Sequence, residues 1–469
     1  MMSGVAMPIV RVAVLTENRL TEMALPAEVP LREILPAVQH LAAPASDEDG
    51  HDGAPVRLSL APIGGAPFSL DASLDTVGVV DGDLLVLQPL PPGPAAPGIV
   101  EDIADAAVIF SAARRKPWGT AHIQRCALGA VLSLVIAATG LATAYRVITG
   151  APVALYATSA IAAATVLAAL VSQLRSPRTG VALSAAALVP VAAACALAVP
   201  GGFGPANLML GAAGFSAWSV ISVVLPRRGD EHAIGFFTAT AVLGAGVLLA
   251  AGAASLWQLS LVSLGCGLIV AALLLTVEAA QLSALWARFP LPVIPAPGDP
   301  TPSAPPLRVL EDLPRRVRIS DAHQVGFIAG GVLLSVLGST AIAARPESLS
   351  GWGWYVVAAA GLGFLLRARV WDSAACKIWL LAQPGLTMGA LLVLYAATAH
   401  YTAAFWTLAA FAGVVLAWVV AALSPTVASP DSYSLPIRRL VGFLAAGIDG
   451  SLIPVMAYVV GLYGWLLNR

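Results

Sequence analysis

Asp449 is the residue of this chain best placed to do chemistry. It follows Arg438 and Arg439 by about ten residues inside the last long apolar run, and at about 1.5 Å rise per residue it falls near the middle of a bilayer. A carboxylate there is costly and faces protein or water rather than lipid. Two uses are open to it: proton coupling, or a structural role in which it is protonated or bonded to a neighbouring helix. A proton path needs several relay groups, and the other apolar runs contain almost none, so the structural role is the expectation. Other chemistry is hard to find. The chain has no HExxH, GxSxG or GxxxxGK[ST] and no Cys/His ligand spacing, so no catalytic, cofactor-binding or metal-binding residues are expected. Cys126, Cys195, Cys266 and Cys376 stand far apart in apolar surroundings and read as small buried hydrophobes. His122 and His400 lie near the ends of apolar runs and read as interfacial. Gly326 and Gly330 form a GxxxG pair, a weak sign of close helix contact. The RGD at Arg228–Asp230 falls in an inner loop, where an adhesion role fails.

The elements that would hold Asp449 are membrane helices. The chain is 58% hydrophobic and 11% charged, which argues against an ordinary soluble protein. Eleven apolar runs of about 20 residues fill positions 121–469, from 121–144 to 437–466, and each is long enough to span. Gln383-Pro384-Gly385 and Pro454 predict kinks. The formal net charge of −1 conceals an asymmetry, since residues 1–100 carry four Arg against twelve Asp and Glu. An acidic head therefore precedes a basic membrane body, and nucleic acid is not an expected partner. The start, MMSGVAMPIVRVAVL, lacks the pattern of a signal peptide, so the head is expected in the cytoplasm. With the N-terminus inside, the inner segments hold 18 Arg and Lys and the outer ones three, Arg146, Arg345 and Arg469. That split predicts an outer C-terminus.

Two segments outside the spans are candidate contacts with partners or the membrane surface. Glu101–Trp118 carries Phe110 on an apolar helical face, followed by the basic cluster Arg114, Arg115 and Lys116, which suits anionic headgroups. Positive-inside anchoring explains that cluster equally well. The loop over 278–323 opens with EAAQLSALWARF, which sets Leu282, Leu285, Trp286 and Phe289 on one stripe and extends the sixth span. A proline-rich stretch follows, and solvated padding is as good a reading of this loop as a partner surface.

The head occupies residues 1–88. PIVRVAVL and RLTEMALP alternate as a hairpin, VPLREILPAVQHLA has helical spacing at Leu31, Ile34, Leu35, Val38 and Leu41, and VRLSLAPI and DLLVLQP supply further strands. A hairpin, a helix and returning strands make a β-grasp, ubiquitin-like domain. It has no lysine, and its one Gly-Gly, Gly64-Gly65, is internal, so a docking role is expected rather than conjugation. Residues 89–120 are then a Pro-rich tether and a short amphipathic helix, and 121–469 the eleven-helix domain.

A ubiquitin-like head ending in DGDLLVLQP, a Pro-rich tether, a short helix and eleven spans together resemble EccD, the polytopic subunit of the mycobacterial type VII (ESX) secretion system. The resemblance covers the whole length and implies a non-enzymatic scaffold in the bacterial plasma membrane. It implies as partners an EccC-type ATPase of the FtsK/SpoIIIE kind, EccB- and EccE-type subunits, a second copy of the chain, and membrane lipids filling a cavity between the copies. It brings no cofactor. The head would then be a tethered bracket for the ATPase. The competing reading is a secondary transporter of a small solute, but the odd span count, the lack of internal repeats and the single deep acid count against it.

Overall fold

The computed structural model describes residues 8–16, 20–42, 58–63, 65–89, 118–225, 230–289, 307–424 and 434–467. Phe110, Arg114, Arg115 and Lys116 lie outside the described residues. The chain divides into two units, residues 1–118 with 300–315 and residues 119–299 with 316–469.

In the head, strands β1 (Ile9–Leu15) and β2 (Leu20–Pro26) form an antiparallel pair, followed by helix α1 (Leu31–Ala42) and strands β3 (Leu58–Pro62) and β4 (Leu84–Pro89). The sheet order is β2-β1-β4-β3, with β1 and β4 parallel at its centre. Period-two alternation turns Val12 and Val14 inward, and the helical period turns Leu31, Ile34, Leu35 and Val38 onto them. This is the β-grasp arrangement. The entry to β4 is a tight turn at Asp81-Gly82-Asp83, where Gly82 has φ +91°, a left-handed value that favours glycine. Asp81 Oδ1 accepts from the Arg11 backbone N–H at 2.6 Å and Asp83 Oδ2 from that of Val80 at 2.9 Å, so the turn also fixes the neighbouring chain.

The described residues of the body are mostly helical. In order come α2 (Thr120–Thr149), α3 (Pro152–Arg175), α4 (Pro177–Leu197), α5 (Pro205–Val224), α6 (Glu231–Trp257) and α7 (Leu261–Trp286). There follow α8 (Leu307–Ile342), α9 (Gly351–Arg367), α10 (Ala374–Ala397), α11 (Tyr401–Leu423), α12 (Leu435–Val459) and the short α13 (Leu462–Leu467). Among the described residues, the eleven helices α2 to α12 are each long and apolar enough to cross a membrane. The run expected at 437–466 is broken at Gly461, where φ is +80°. Helix α8 begins well before position 324, so helix occupies both ends of the 278–323 segment.

Two larger cores, beside a small one at Ala343, Leu391 and Tyr395, organise these helices. One gathers Ala169, Leu183, Leu188, Trp218 and Phe237 from α3 to α6. The other gathers Ile269, Ile328, Val332, Phe364, Leu380 and Leu452 from α7 to α10 and α12. Helix α8 is the most buried span and is gripped through glycine. A Cβ on Gly326 would come within 2.6 Å of the Gly235 carbonyl, and one on Gly330 within 2.6 Å of Val242, both on α6. On the α7 side, a Cβ on Gly338 would meet the Gly265 carbonyl at 2.6 Å. The GxxxG pair is thus a close contact between α6 and α8, where missing side chains let backbones approach. Helices α2 and α11 are the least covered by the chain itself, and their exposed apolar residues, such as Leu134, Ile148 and Trp406, suit a lipid surround.

Gly330→Leu should force α6 and α8 apart and lower the thermal unfolding midpoint of the detergent-solubilised protein by several degrees. Gly267→Ala on α7 meets nothing within 4 Å and should leave that midpoint unchanged, which makes it the control.

Candidate functional site: an ion pair within the helix bundle

Asp449 is held by an arginine from another helix. Arg367, the last residue of α9, donates from Nε to Asp449 Oδ2 at 3.1 Å. Its Nη1 donates to Thr276 Oγ1 at 2.6 Å and to the Leu273 carbonyl at 3.1 Å, both on α7. Thr276 in turn donates to that same carbonyl at 2.9 Å. One guanidinium therefore ties α7, α9 and α12 together at a point well inside α7 and α12.

Local sequence explains how an arginine at a helix end reaches so deep. Helix α9 has 17 residues, about 26 Å at 1.5 Å rise, short of the ~30 Å hydrocarbon core. Helical side chains lean toward the N-terminus, which for Arg367 points into the bundle. One turn earlier, Gly363 clears the path, since a Cβ there would sit 2.9 Å from Asp449 Oδ1. The pair is largely sheltered, with side chains 18% and 28% exposed. Further along the same interface, Tyr355 of α9 and Ser451 of α12 share a hydrogen bond of 2.6 Å, and Trp352 meets Tyr458 edge to face.

The arrangement makes a clasp. Arginine does not give up its proton, so Arg367 is itself no proton relay. Removing one partner leaves a sheltered charge uncompensated, at a cost of about 3–5 kcal/mol, whereas replacing both with apolar groups can be neutral.

The other sequence candidates fall differently. Leu282 is half-buried against the core, while Leu285 and Trp286 are exposed and Phe289 lies beyond the end of α7. The Trp286 ring sits 5.6 Å from that of His323, which is buried and shares a 2.8 Å hydrogen bond with Thr238. The four therefore do not form one free stripe. Sequence reasoning counted Arg367 as an inner-loop anchor and missed its partnership with Asp449. Gly363 four residues before an arginine at a span end was the available signal. Gln383, noted only as part of a kink, is fully buried and donates to Ser335 Oγ of α8 at 2.9 Å. Among the described residues, no group of three His, Cys, Asp or Glu could hold a metal.

A ubiquitin-like head and an eleven-helix body knit by buried polar bonds define a polytopic membrane protein. Residues 123–468 match the family described as EccD-like transmembrane domain, and residues 9–87 match WXG100 protein secretion system (Wss), protein YukD. The chain is 69% identical over 472 residues to the ESX-3 secretion system protein EccD3 of Mycobacterium tuberculosis, with all of both chains covered. It is 61% identical over 478 residues to EccD3 of Mycolicibacterium smegmatis, again over the whole of both. Its fold matches protomer 1 of the ESX-3 core complex with TM-score 0.70 and 60% identity, covering 98% of this chain and 100% of that one. The chain belongs to the EccD family.

Arg367→Ala and Asp449→Ala should each lower the unfolding midpoint of the solubilised protein. The double replacement Arg367→Met with Asp449→Leu should recover most of the loss. A double variant as unstable as the sum of the single ones would show that the two residues are not coupled.

Proposed function

We propose that this chain is the EccD subunit of an ESX-3-type secretion complex, a structural and non-enzymatic component that scaffolds the inner-membrane assembly. The observation that carries this reading is identity over the full length of curated EccD3 proteins, together with a matching fold in the ESX-3 core complex. The clasp supports it, because the deep acid is bound by arginine and not set along a path of relay groups. A secondary transporter would require such a path or a polar cavity at mid-membrane.

The finer reading has three parts. The head grips the EccC-type ATPase, and its independent core and the proline-rich tether after Gln88 fit a bracket that holds a moving partner. The neighbours in the membrane are EccB- and EccE-type subunits and a second copy of the chain. The N-terminus lies in the cytoplasm and the C-terminus outside, a reading supported by the 18-to-3 division of basic residues under an odd number of spans.

Deleting residues 1–88 should leave the body inserted but sharply reduce the ATPase recovered with it on mild-detergent purification. Unchanged recovery would refute the bracket. In a cysteine-free background, Ala151→Cys at the start of α3 should react with an impermeant maleimide on intact cells, and Ser176→Cys before α4 only after permeabilisation. The reverse pattern would overturn the orientation.

A further inference from the structure

A groove of about 810 Å³ runs between α9, α10 and α11, away from the Arg367–Asp449 clasp. Its volume is that of a small-molecule site, and small residues create it: Ala358 and Gly361 on α9, and Ala403 and Ala410 on α11. Leu362, Leu365, Met388, Leu391 and Val414 make its depth mostly apolar, with Gln383, Thr387 and Thr407 among them. From Tyr401 to Val414 the wall extends thirteen residues, about 20 Å at 1.5 Å rise, which exceeds one leaflet's share of the ~30 Å hydrocarbon core.

At one end the groove has a mouth with ionisable and aromatic side chains. There Glu347, in the short 3-10 turn Pro346–Ser348, faces His400 Nδ1 at 3.7 Å, a loose ion-pair distance. Glu347 is 86% exposed, so most of its carboxylate is available to another donor. His400 is placed with care. Ala399 before it adopts φ +60°, a left-handed value that is unfavourable for a residue with a Cβ. The His400 backbone N–H donates to the Tyr395 carbonyl at 2.9 Å, and its ring stands edge-on to that of Tyr395. Tyr395 itself is anchored by its hydroxyl to the Ala343 carbonyl at 2.7 Å. Trp354, Tyr401 and Trp406 line the groove from this end, residue types suited to the membrane–water boundary.

We propose that this groove is a binding site for one phospholipid with a primary ammonium headgroup, the phosphatidylethanolamine class. One of its two acyl chains lies between α9, α10 and α11. The ammonium donates to Glu347, and the phosphate accepts from the His400 ring N–H and the Tyr401 hydroxyl. Charge complementarity selects this lipid: a choline headgroup has no N–H to donate, and a glycerol headgroup has no positive charge to offer Glu347. In the orientation proposed above, the mouth opens at the outer leaflet, but the site itself does not depend on that orientation.

The test places the full-length protein in nanodiscs of equal phosphatidylethanolamine, phosphatidylcholine and phosphatidylglycerol, and counts retained lipids by native mass spectrometry. The site predicts one retained lipid per chain, with phosphatidylethanolamine at least five-fold over either competitor. Ala358→Phe with Ala410→Phe fills the groove from two exposed positions and should abolish that adduct. Glu347→Gln, at an exposed surface position, should keep an adduct while losing the preference. Retention in proportion to nanodisc composition, a preference for either competitor, or an undiminished adduct in the filled variant would overturn the proposal. The wild-type ratio decides on its own if the filled variant fails to fold.

Discussion

A bilayer interior offers no hydrogen bonds, so every polar group carried into it must find a partner within protein. This constraint shapes much of the body, although Gln383 Oε1, Thr387 Oγ1 and Asp449 Oδ1 are buried without a hydrogen-bond partner among the described residues. Arg367 meets Asp449 and Thr276, Gln383 meets Ser335, His323 meets Thr238, and the Trp218 indole donates to the Ser184 carbonyl at 2.9 Å. Each of these bonds joins different helices. Helices that are apolar around most of their circumference have little to define their rotation or depth, since lipid and protein surfaces are equally apolar. The polar pairs supply that definition, and the close glycine contacts along α8 set the spacing between them.

The clasp is the clearest case because it fixes three helices at once. The terminal arginine of a short α9 reaches back along the bundle, and Gly363 leaves room for the carboxylate. Tyr355 and Ser451, with the Trp352–Tyr458 contact, hold the same two helices at a second place. Two separated fixed points set both register and rotation between α9 and α12. Arg367, bonded to one carboxylate oxygen, is itself no proton relay.

Much of this was legible in the sequence, and the reason differs between parts. Spans are legible because about 20 consecutive apolar residues satisfy a bilayer locally, without reference to the rest of the chain. The head is legible because alternation in PIVRVAVL and helical spacing in VPLREILPAVQHLA are local patterns, and the EccD resemblance rests on the order of such pieces. The place of Asp449 midway along its helix followed from counting residues past Arg439. Its partner did not, because 82 positions separate Arg367 from Asp449 and no local pattern records a pairing at that distance. An arginine at a span end reads as an anchor in any positive-inside count. Gln383 was hidden for a similar reason, since its proline neighbour drew the attention to backbone geometry. The apolar run that opens at Leu282 extends α7 as far as Trp286, and Phe289 follows the helix end, after Arg288 in a left-handed conformation (φ +53°).

A head with its own core on a body braced by buried bonds suits a subunit whose task is to hold others in place. The central claim is that the one deep acid of this body is a structural clasp in a scaffold and takes no part in coupling protons to export. The most direct measurement is export by cells whose only copy of this protein carries Leu at both 367 and 449, with recovery of the membrane complex quantified in parallel. The account predicts that the complex assembles and that export continues near the wild-type level, since an apolar pair can replace a buried ionic one. Normal assembly with export abolished would contradict it and assign Asp449 a working role in transport.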